Sequence, residues 1–388
     1  MSTNGAKKRI TIIGTGLIGG SIGLALKGAK LDGVEIVGHD KERAAAAQAE
    51  KVGAVDRAEH NLPRAVEGAG MVIIATPVLA VRETMELIGQ DLGEGAIVTD
   101  TASTKAHVMR WAAELLPAGV SFVGGHPMAG KEDQGIENAE AGLFKGKPYC
   151  VCPSVDAPES AVKSVMGLAR MIGAEPLFLD PEEHDAYAAA VSHLPLMMSA
   201  ALFNLIRTSP SWTDLGIMAA GGFRDATRLA SGDPRMSHDI WVTNREAVMH
   251  WLDRMAGELQ RFRSLLEDAK DEEMLSLFAG VQLDREAFLK QPPERTPAPV
   301  GDASGGETRK MLTDMLVGGM MGERMRKLRD LAANPPPRPD KPGAEEGPPR
   351  KGRPSLADRI AEGVRRDLDK MERERAAKEA NKNPPGDV

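Results

Sequence analysis

Cysteine is nearly absent from this 388-residue chain, which carries only Cys150 and Cys152. A structural zinc site normally takes four ligands, and with no second cysteine pair no metal site is expected. The two cysteines sit in KPYCVCPS, whose alternation reads as a strand with both thiols on one face, packed as small hydrophobes. So low a count also fits a reducing compartment. Aromatic residues are scarce, at 4%, which argues against recognition of stacked bases. The formal charge of −7 gives no chain-wide basic surface, so no nucleic acid is expected as a partner. No apolar run is read as approaching the ~18 residues of a membrane span. The opening MSTNGAKKRITIIG has basic residues, but its apolar stretch is too short for a signal segment and leads straight into glycines. The expectation is a cytoplasmic protein without a membrane partner, and no internal repeat is visible.

Hydrophobic residues make up 42% of the chain, enough for substantial cores. The length allows two or three domains of roughly 150 residues each. From Arg9 to about Pro176, short β-branched runs (ITII, VEIVG, MVIIAT, AIVTD, SFVGG) alternate with alanine-rich, charged segments. The runs are near-continuous rather than alternating, the pattern of parallel strands buried on both faces. That rhythm predicts an α/β fold with a doubly wound sheet over residues 8–178.

From about Asp180 the strand signal stops. PEEHDAYAAAVSHLPLMMSAALFNLIRT reads as one long helix, with Pro181 in its first turn and Pro195 inside it as a kink. Helical patterns continue to about Lys290, predicting an all-helical domain over residues 180–290. Residues 291–388 form a proline-rich tail opened by Pro292, Pro293, Pro297 and Pro299, expected to be partly disordered. Two helical islands interrupt it, one at about Glu307 to Ala332 and one starting at Ser355. The second has an apolar stripe of Leu356, Ile360, Val364, Leu368 and Met371.

The firmest motif is KKRITIIGTGLIGGSIGLAL, in which Gly14, Gly16 and Gly19 form G-x-G-x-x-G between a buried strand and a helix. That context is the Rossmann fingerprint. Gly14 permits the tight turn, Gly16 lets the backbone approach a pyrophosphate, and Gly19 lets the helix pack on the sheet. Leu17 and Ile18 open the helix, whose free amides and dipole favour phosphate. The next strand ends at Asp40, about 20 residues further on, where a carboxylate binds ribose hydroxyls and repels a 2′-phosphate. NAD is therefore the expected cofactor, although Lys41 and Arg43 soften its preference over NADP. Thr76 and Pro77 end another strand near the nicotinamide side.

Three further segments carry candidate chemistry. VTDTASTK follows a strand and brings Ser103 and Thr104 to the carboxyl edge of the sheet, as helix caps or ligand contacts. GGHPMAG presents His126 among glycines at a strand end, suited to take a proton from a hydroxyl. The helical region holds His193 in SHLP, and Arg224 and Arg228 in GGFRDATRLASGDP. These two arginines share a face if that stretch is helical, and a guanidinium suits a carboxylate substrate.

The set GTGLIGGSIGLAL, DTASTK, GGHPMAG, SHLP and GGFRDATRLASGDP, spanning about residues 8–285 in this order, resembles the prephenate/arogenate dehydrogenase family of tyrosine biosynthesis. The resemblance implies a Rossmann domain followed by a helical dimerisation domain, hence a homodimer, with the active site between them. It implies oxidative decarboxylation of prephenate with NAD, or of arogenate to give tyrosine directly. It puts His126 on the ring hydroxyl, Ser103 in a shared hydrogen bond, and His193 in the substrate pocket. Arg228 holds a substrate carboxylate, with Gly221 and Arg224 nearby. Two positions depart from the family pattern: Leu196 stands where a second histidine is common, and Ser237 where tryptophan is common. Rival readings are a β-hydroxyacid dehydrogenase or imine reductase, and a non-catalytic NAD-sensing interaction protein. The lysine-bearing helix motif of the former is not evident.

Overall fold

A computed structural model describes residues 8–131, 133–291 and 293. The proline-rich tail and its two helical islands lie outside the described residues. Strands β1 (Lys8–Ile13), β2 (Val34–His39), β4 (Ala69–Ile74), β5 (Ile97–Asp100) and β6 (Ser121–Pro127) coincide with the apolar runs. Two strands carry too little apolar signal to be read in advance: β3 (Arg57–Ala58) and β8 (Glu175–Phe178). With β7 (Pro148–Pro153) they complete an eight-stranded sheet of order β3-β2-β1-β4-β5-β6-β7-β8.

Helices α1 (Leu17–Gly28), α2 (Arg43–Lys51), α3 (Leu62–Val66), α4 (Val78–Ile88) and α5 (Ala106–Leu115) lie between the first six strands, all of which are parallel. The consecutive apolar residues of each strand feed two cores. Ile10, Ile12, Met71 and Ile73 pack with Ile22 and Leu26 of α1 on one face. Ile13, Val72, Ile74 and Val98 pack with Val81, Met85 and Ile88 of α4 and with Val108 and Trp111 of α5 on the other. Two buried faces are why these runs do not alternate.

The five apolar runs pair parallel as expected, and the sheet departs from that pattern only at β7, which pairs antiparallel with β6. Only a loop with a short 3₁₀ turn (Ile136–Asn138) separates the two strands, with no crossover helix to reverse the chain. Helix α6 (Glu159–Met171) then provides a crossover, and β8 runs parallel to β7. Cys150 and Cys152 pack with Leu179, Met128 and Leu177. Burial pushes the Cys150 thiol up to about 11 and raises that of Cys152 further, so both behave as small apolar groups.

Beyond β8 every element among the described residues is helical. Asp180 caps α7 (Pro181–Ala188) by accepting the Glu182 and Glu183 amides at 2.9 and 3.3 Å. A π turn (Ala189–His193) and α8 (Leu194–Arg207) continue the same axis. Pro195 has no amide to offer the carbonyl one turn back, and the helix widens just ahead of it, which is the expected irregularity in its local form. By length and composition Pro181–Arg207 is one helix able to cross a membrane, with 28% of the apolar window buried. That corrects the reading of no such run. Ser192, His193 and Pro195 interrupt the sequence visibly, but none of them is an Asp, Glu, Lys or Arg that would break an apolar window.

Helices α9 (Trp212–Met218), α10 (Gly221–Thr227), a 3₁₀ turn (Arg228–Ser231) and α11 (Pro234–Thr243) follow. The described residues form two compact units, residues 8–253 and those from 254 on. Helix α12 (Arg245–Glu267) begins in the first, and α13 (Asp271–Lys290) belongs to the second. In the second unit the rings of Phe262 and Phe278 pack at a tilt of 37°, with centroids 5.8 Å apart.

Candidate active site

A crevice of about 1050 Å³ opens where the strand order reverses between β1 and β4, at their carboxyl ends. This is the topological position at which doubly wound sheets bind ligands. Gly14 sits at φ +89°, and a side chain there would meet the Ala75 carbonyl oxygen at 2.5 Å. At Gly19 a side chain would overlap the Gly14 carbonyl, so the helix could not pack as it does. Gly16, by contrast, faces open space. It is the N-cap of α1 and no side chain caps the helix, so the first amides, including those of Leu17 and Ile18, have no capping partner. The residues fit a dinucleotide: an open glycine cradle meets an uncapped helix start.

Asp40 ends the crevice on the β2 side. Its Oδ2 accepts the Thr15 amide at 2.7 Å and the Thr15 hydroxyl at 3.1 Å, and its Oδ1 accepts the Glu42 amide at 2.9 Å. The carboxylate thus fixes the glycine turn while still lining the crevice. Thr76 and Pro77 line the opposite wall, and the Thr76 hydroxyl is buried without a hydrogen-bond partner. Such orphans are rare, and this one belongs to a residue of the crevice wall. Helix α11 closes the crevice with Arg235, His238 and Asp239, and Asp239 accepts the Leu79 amide at the start of α4 at 3.3 Å.

A second cluster lies at the carboxyl ends of β5 and β6. His126, near the end of β6, is buried, and its Nδ1 stands 2.8 Å from Nε2 of His184. Nδ1 of His184 is in turn 2.8 Å from Oδ1 of Asp185. The Asp185 carboxylate also accepts the Lys105 amide at 2.7 Å and the Ala106 amide at 2.9 Å. It therefore caps α5, a task that sequence reading had offered to Ser103 and Thr104. The Thr104 hydroxyl pairs instead with that of Thr243 at 2.9 Å, and Ser103 stays half-buried in the loop beyond Asp100. Asp100 forms a fully buried ion pair with Lys105 and accepts the Gly125 and Ala102 amides at 3.1 and 2.9 Å. One side chain thus ties the Ser103 loop to the strand end that carries His126.

Burial and the nearby His184, Lys105 and His193 hold the His126 imidazole well below its usual range, so it is neutral near pH 7. His193, the last residue of the π turn, is fully buried, and burial pulls it down to about 4. Asn244 donates from Nδ2 to the Asp185 carbonyl at 2.7 Å and to Nδ1 of His193 at 3.1 Å. Because Nδ1 accepts, the proton of neutral His193 is on Nε2; the Ser103 backbone faces the ring, but no acceptor meets this buried N–H at hydrogen-bonding geometry.

Gly221, Arg224 and Arg228 are exposed on α10 and the 3₁₀ turn after it, and they do not line the crevice around Asp40. Ser237 donates to the Asp233 carbonyl at 3.0 Å, while the neighbouring Trp241 has a buried Nε1 without a partner. His184, Asp185, Lys105 and Asn244 were not singled out from sequence. A signal existed for the first two: in PEEHDAYAAA, His184 and Asp185 share one helix face with Ala188, where the helical period calls for apolar residues. Among the described residues no group of His, Cys, Asp or Glu stands in a metal-binding arrangement.

Two family descriptions match the chain: "Prephenate dehydrogenase, nucleotide-binding domain" over residues 22–177, and "Prephenate dehydrogenase, dimerization domain" over residues 180–280. The prephenate dehydrogenase of Bacillus subtilis is 35% identical over 71% of this chain and 74% of its own. The cyclohexadienyl dehydrogenase of Zymomonas mobilis is 30% identical over 72% of this chain and 96% of its own. Among solved structures, the prephenate dehydrogenase of A. aeolicus, in complex with hydroxyphenyl propionate and NAD+, has a TM-score of 0.68 at 28% identity, covering 72% of this chain and 98% of that one. The Synechocystis arogenate dehydrogenase has a TM-score of 0.62 at 28% identity, over 72% of this chain and 99% of that one. With its glycine cradle, its NAD-sized crevice and two matched domains, the chain belongs to the prephenate/arogenate dehydrogenase family, NAD-dependent oxidoreductases of aromatic amino-acid biosynthesis.

Proposed function

We propose that the chain converts prephenate to 4-hydroxyphenylpyruvate by oxidative decarboxylation, with arogenate, giving tyrosine, as the alternative substrate. The observation that carries this reading is His126: a buried imidazole at the carboxyl end of β6, kept neutral by burial and by the charges around it, with its Nδ1 held by His184. Bound NAD would supply the hydride acceptor for the ring carbon that bears the hydroxyl. His126 takes the hydroxyl proton in the same step, leaving a ring ketone conjugated through both ring double bonds to the positions beside the quaternary carbon that carries the carboxylate. Loss of carbon dioxide then returns an electron pair to the ring oxygen, and His126 gives the proton back to form the phenol. The base is regenerated and no net proton is released.

Gly14, Gly16 and Gly19, with the amides of Leu17 and Ile18, hold the diphosphate, and Asp40 holds the ribose hydroxyls. Thr76 and Pro77, on the opposite wall of the crevice, would hold the nicotinamide end. Ser103 shares a hydrogen bond with the substrate hydroxyl, and the unpartnered Nε2–H of His193 donates to the substrate. Arg228 grips a substrate carboxylate, with Gly221 and Arg224 beside it. The support for these last three is the motif GGFRDATRLASGDP.

Purified protein should form NADH from prephenate, with arogenate tested beside it as the alternative substrate. Absence of NADH from both, with activity on a β-hydroxyacid or imine panel, would overturn the reading. The chain is further proposed to be a homodimer through its helical region. Val191, Ile217 and Met218 expose 70%, 80% and 80% of their surface in the first unit, and Phe278, Phe288 and Leu289 are exposed in the second. Sedimentation should give twice the 41.4 kDa chain mass, and a monomer at micromolar concentration would refute it.

A further inference from the structure

We propose that His184 and Asp185 are positioning residues that fix the proton of His126 on Nδ1 and leave its Nε2 bare as the base. The proposal rests on the reaction proposed above and adds what prepares the base for it. Backbone amides can only donate. The Lys105 and Ala106 amides point at Oδ1 and Oδ2 of Asp185, so both carboxylate oxygens are acceptors. Nδ1 of His184, 2.8 Å from the same Oδ1, must then bring a hydrogen. A neutral imidazole has one N–H, so Nε2 of His184 is a lone pair. That lone pair stands 2.8 Å from Nδ1 of His126, which must donate in turn. The single proton of neutral His126 is thereby on Nδ1, and Nε2 is the open acceptor.

The arrangement has an inverse. A doubly protonated His184 would donate to His126 from Nε2, force the His126 proton onto its own Nε2 and abolish the base. The groups facing His126 are Lys105 and His193, with His184 itself, and Asp100 reaches its strand through the Gly125 amide. During turnover the substrate O–H bond breaks and an N–H bond forms at Nε2 of His126. Its Nδ1–H goes on donating to His184, and the Asp185 carboxylate faces the new imidazolium through that ring. When carbon dioxide leaves, the proton returns to oxygen and the chain of hydrogen bonds is as it began. His193, by contrast, is set to the opposite tautomer by Asn244, so the two rings offer one acceptor and one donor.

The test is a long-range ¹H–¹⁵N spectrum of full-length, ¹⁵N-histidine-labelled protein, with the His126 signals identified by their loss in His126→Asn. The expected spectrum at neutral pH shows a protonated Nδ1 and a bare Nε2. A bare Nδ1 overturns the proposal whatever the protein's activity. His184→Leu should lower kcat by ~10²–10³-fold, within the range for an incorrectly prepared base, with NAD affinity and cooperative unfolding retained. His184→Gln, whose side-chain oxygen still accepts from Nδ1 and whose nitrogen still donates, should recover to within about tenfold of the parent, because its amide preserves both hydrogen bonds. Equal activity of the leucine variant and the parent, or a glutamine variant no better than leucine, also overturns it. If the parent turns over neither prephenate nor arogenate, the proposed reaction fails, and the spectrum still decides the tautomer.

Discussion

His126→Asn is expected to lower kcat by about 10²–10⁴-fold, the contribution of a positioned general base, with NAD affinity unchanged. Asparagine is the informative replacement because its amide nitrogen falls near the place of Nδ1. It can keep donating to His184 Nε2, so the buried contact survives and only the Nε2 end of the ring is lost. The glycine cradle and Asp40 follow other strands, β1 and β2, and have no reason to move. Steady-state NADH formation gives kcat, and calorimetric titration gives NAD affinity. Undiminished turnover would reject His126 as the base. A parallel loss of NAD binding would mean that the substitution had disturbed the fold, and the comparison would pass to His126→Gln.

The second large effect is on stability. Lys105→Ala should cost about 3–5 kcal/mol of unfolding free energy, because it leaves the buried Asp100 carboxylate without its ion-pair partner. Both side chains are fully shielded from water, so solvent cannot take over the role of the missing ammonium. Replacing the pair by two apolar residues would not restore the loss. Asp100 also accepts the amides of Gly125 and Ala102, and these would then be orphaned in the interior. The contrast is Arg82, exposed on α4 in an ion pair with Glu86 one turn away. Arg82→Ala should change stability by no more than about 1 kcal/mol. Urea unfolding of both variants provides the comparison, and a Lys105→Ala midpoint equal to that of Arg82→Ala would overturn the assignment.

Most of the fold was legible because parallel strands buried on both faces are apolar without interruption, and five of them stand out as such runs. The glycine fingerprint was legible because each glycine answers a different steric demand: a positive φ at Gly14, open space at Gly16 and close helix packing at Gly19. What escaped was set by contacts remote in sequence. β3 and β8 are short and half-polar, and they are strands because a neighbour's edge is available to them. The antiparallel turn of β7 depends on the absence of a crossover helix, which composition does not announce. At the site, His126 and His193 were visible from their loop and proline context. His184 was not, because its importance comes from a ring 58 residues away in the chain. Lys105 closes the DTASTK motif with no local sign of its burial. A lysine beside a threonine reads as solvated until the fold removes the solvent.

Asp185 has a consequence for how this protein can change over evolutionary time. One carboxylate receives the first amides of α5 and the inner nitrogen of His184, so a helix origin and the orientation of a histidine pair share a single point of attachment. Divergence at that position cannot adjust reactivity and leave folding alone, or the reverse. New substrate preferences are open instead to the periphery, where Leu196, Ser237 and the exposed arginines of the helical region can drift without disturbing that junction.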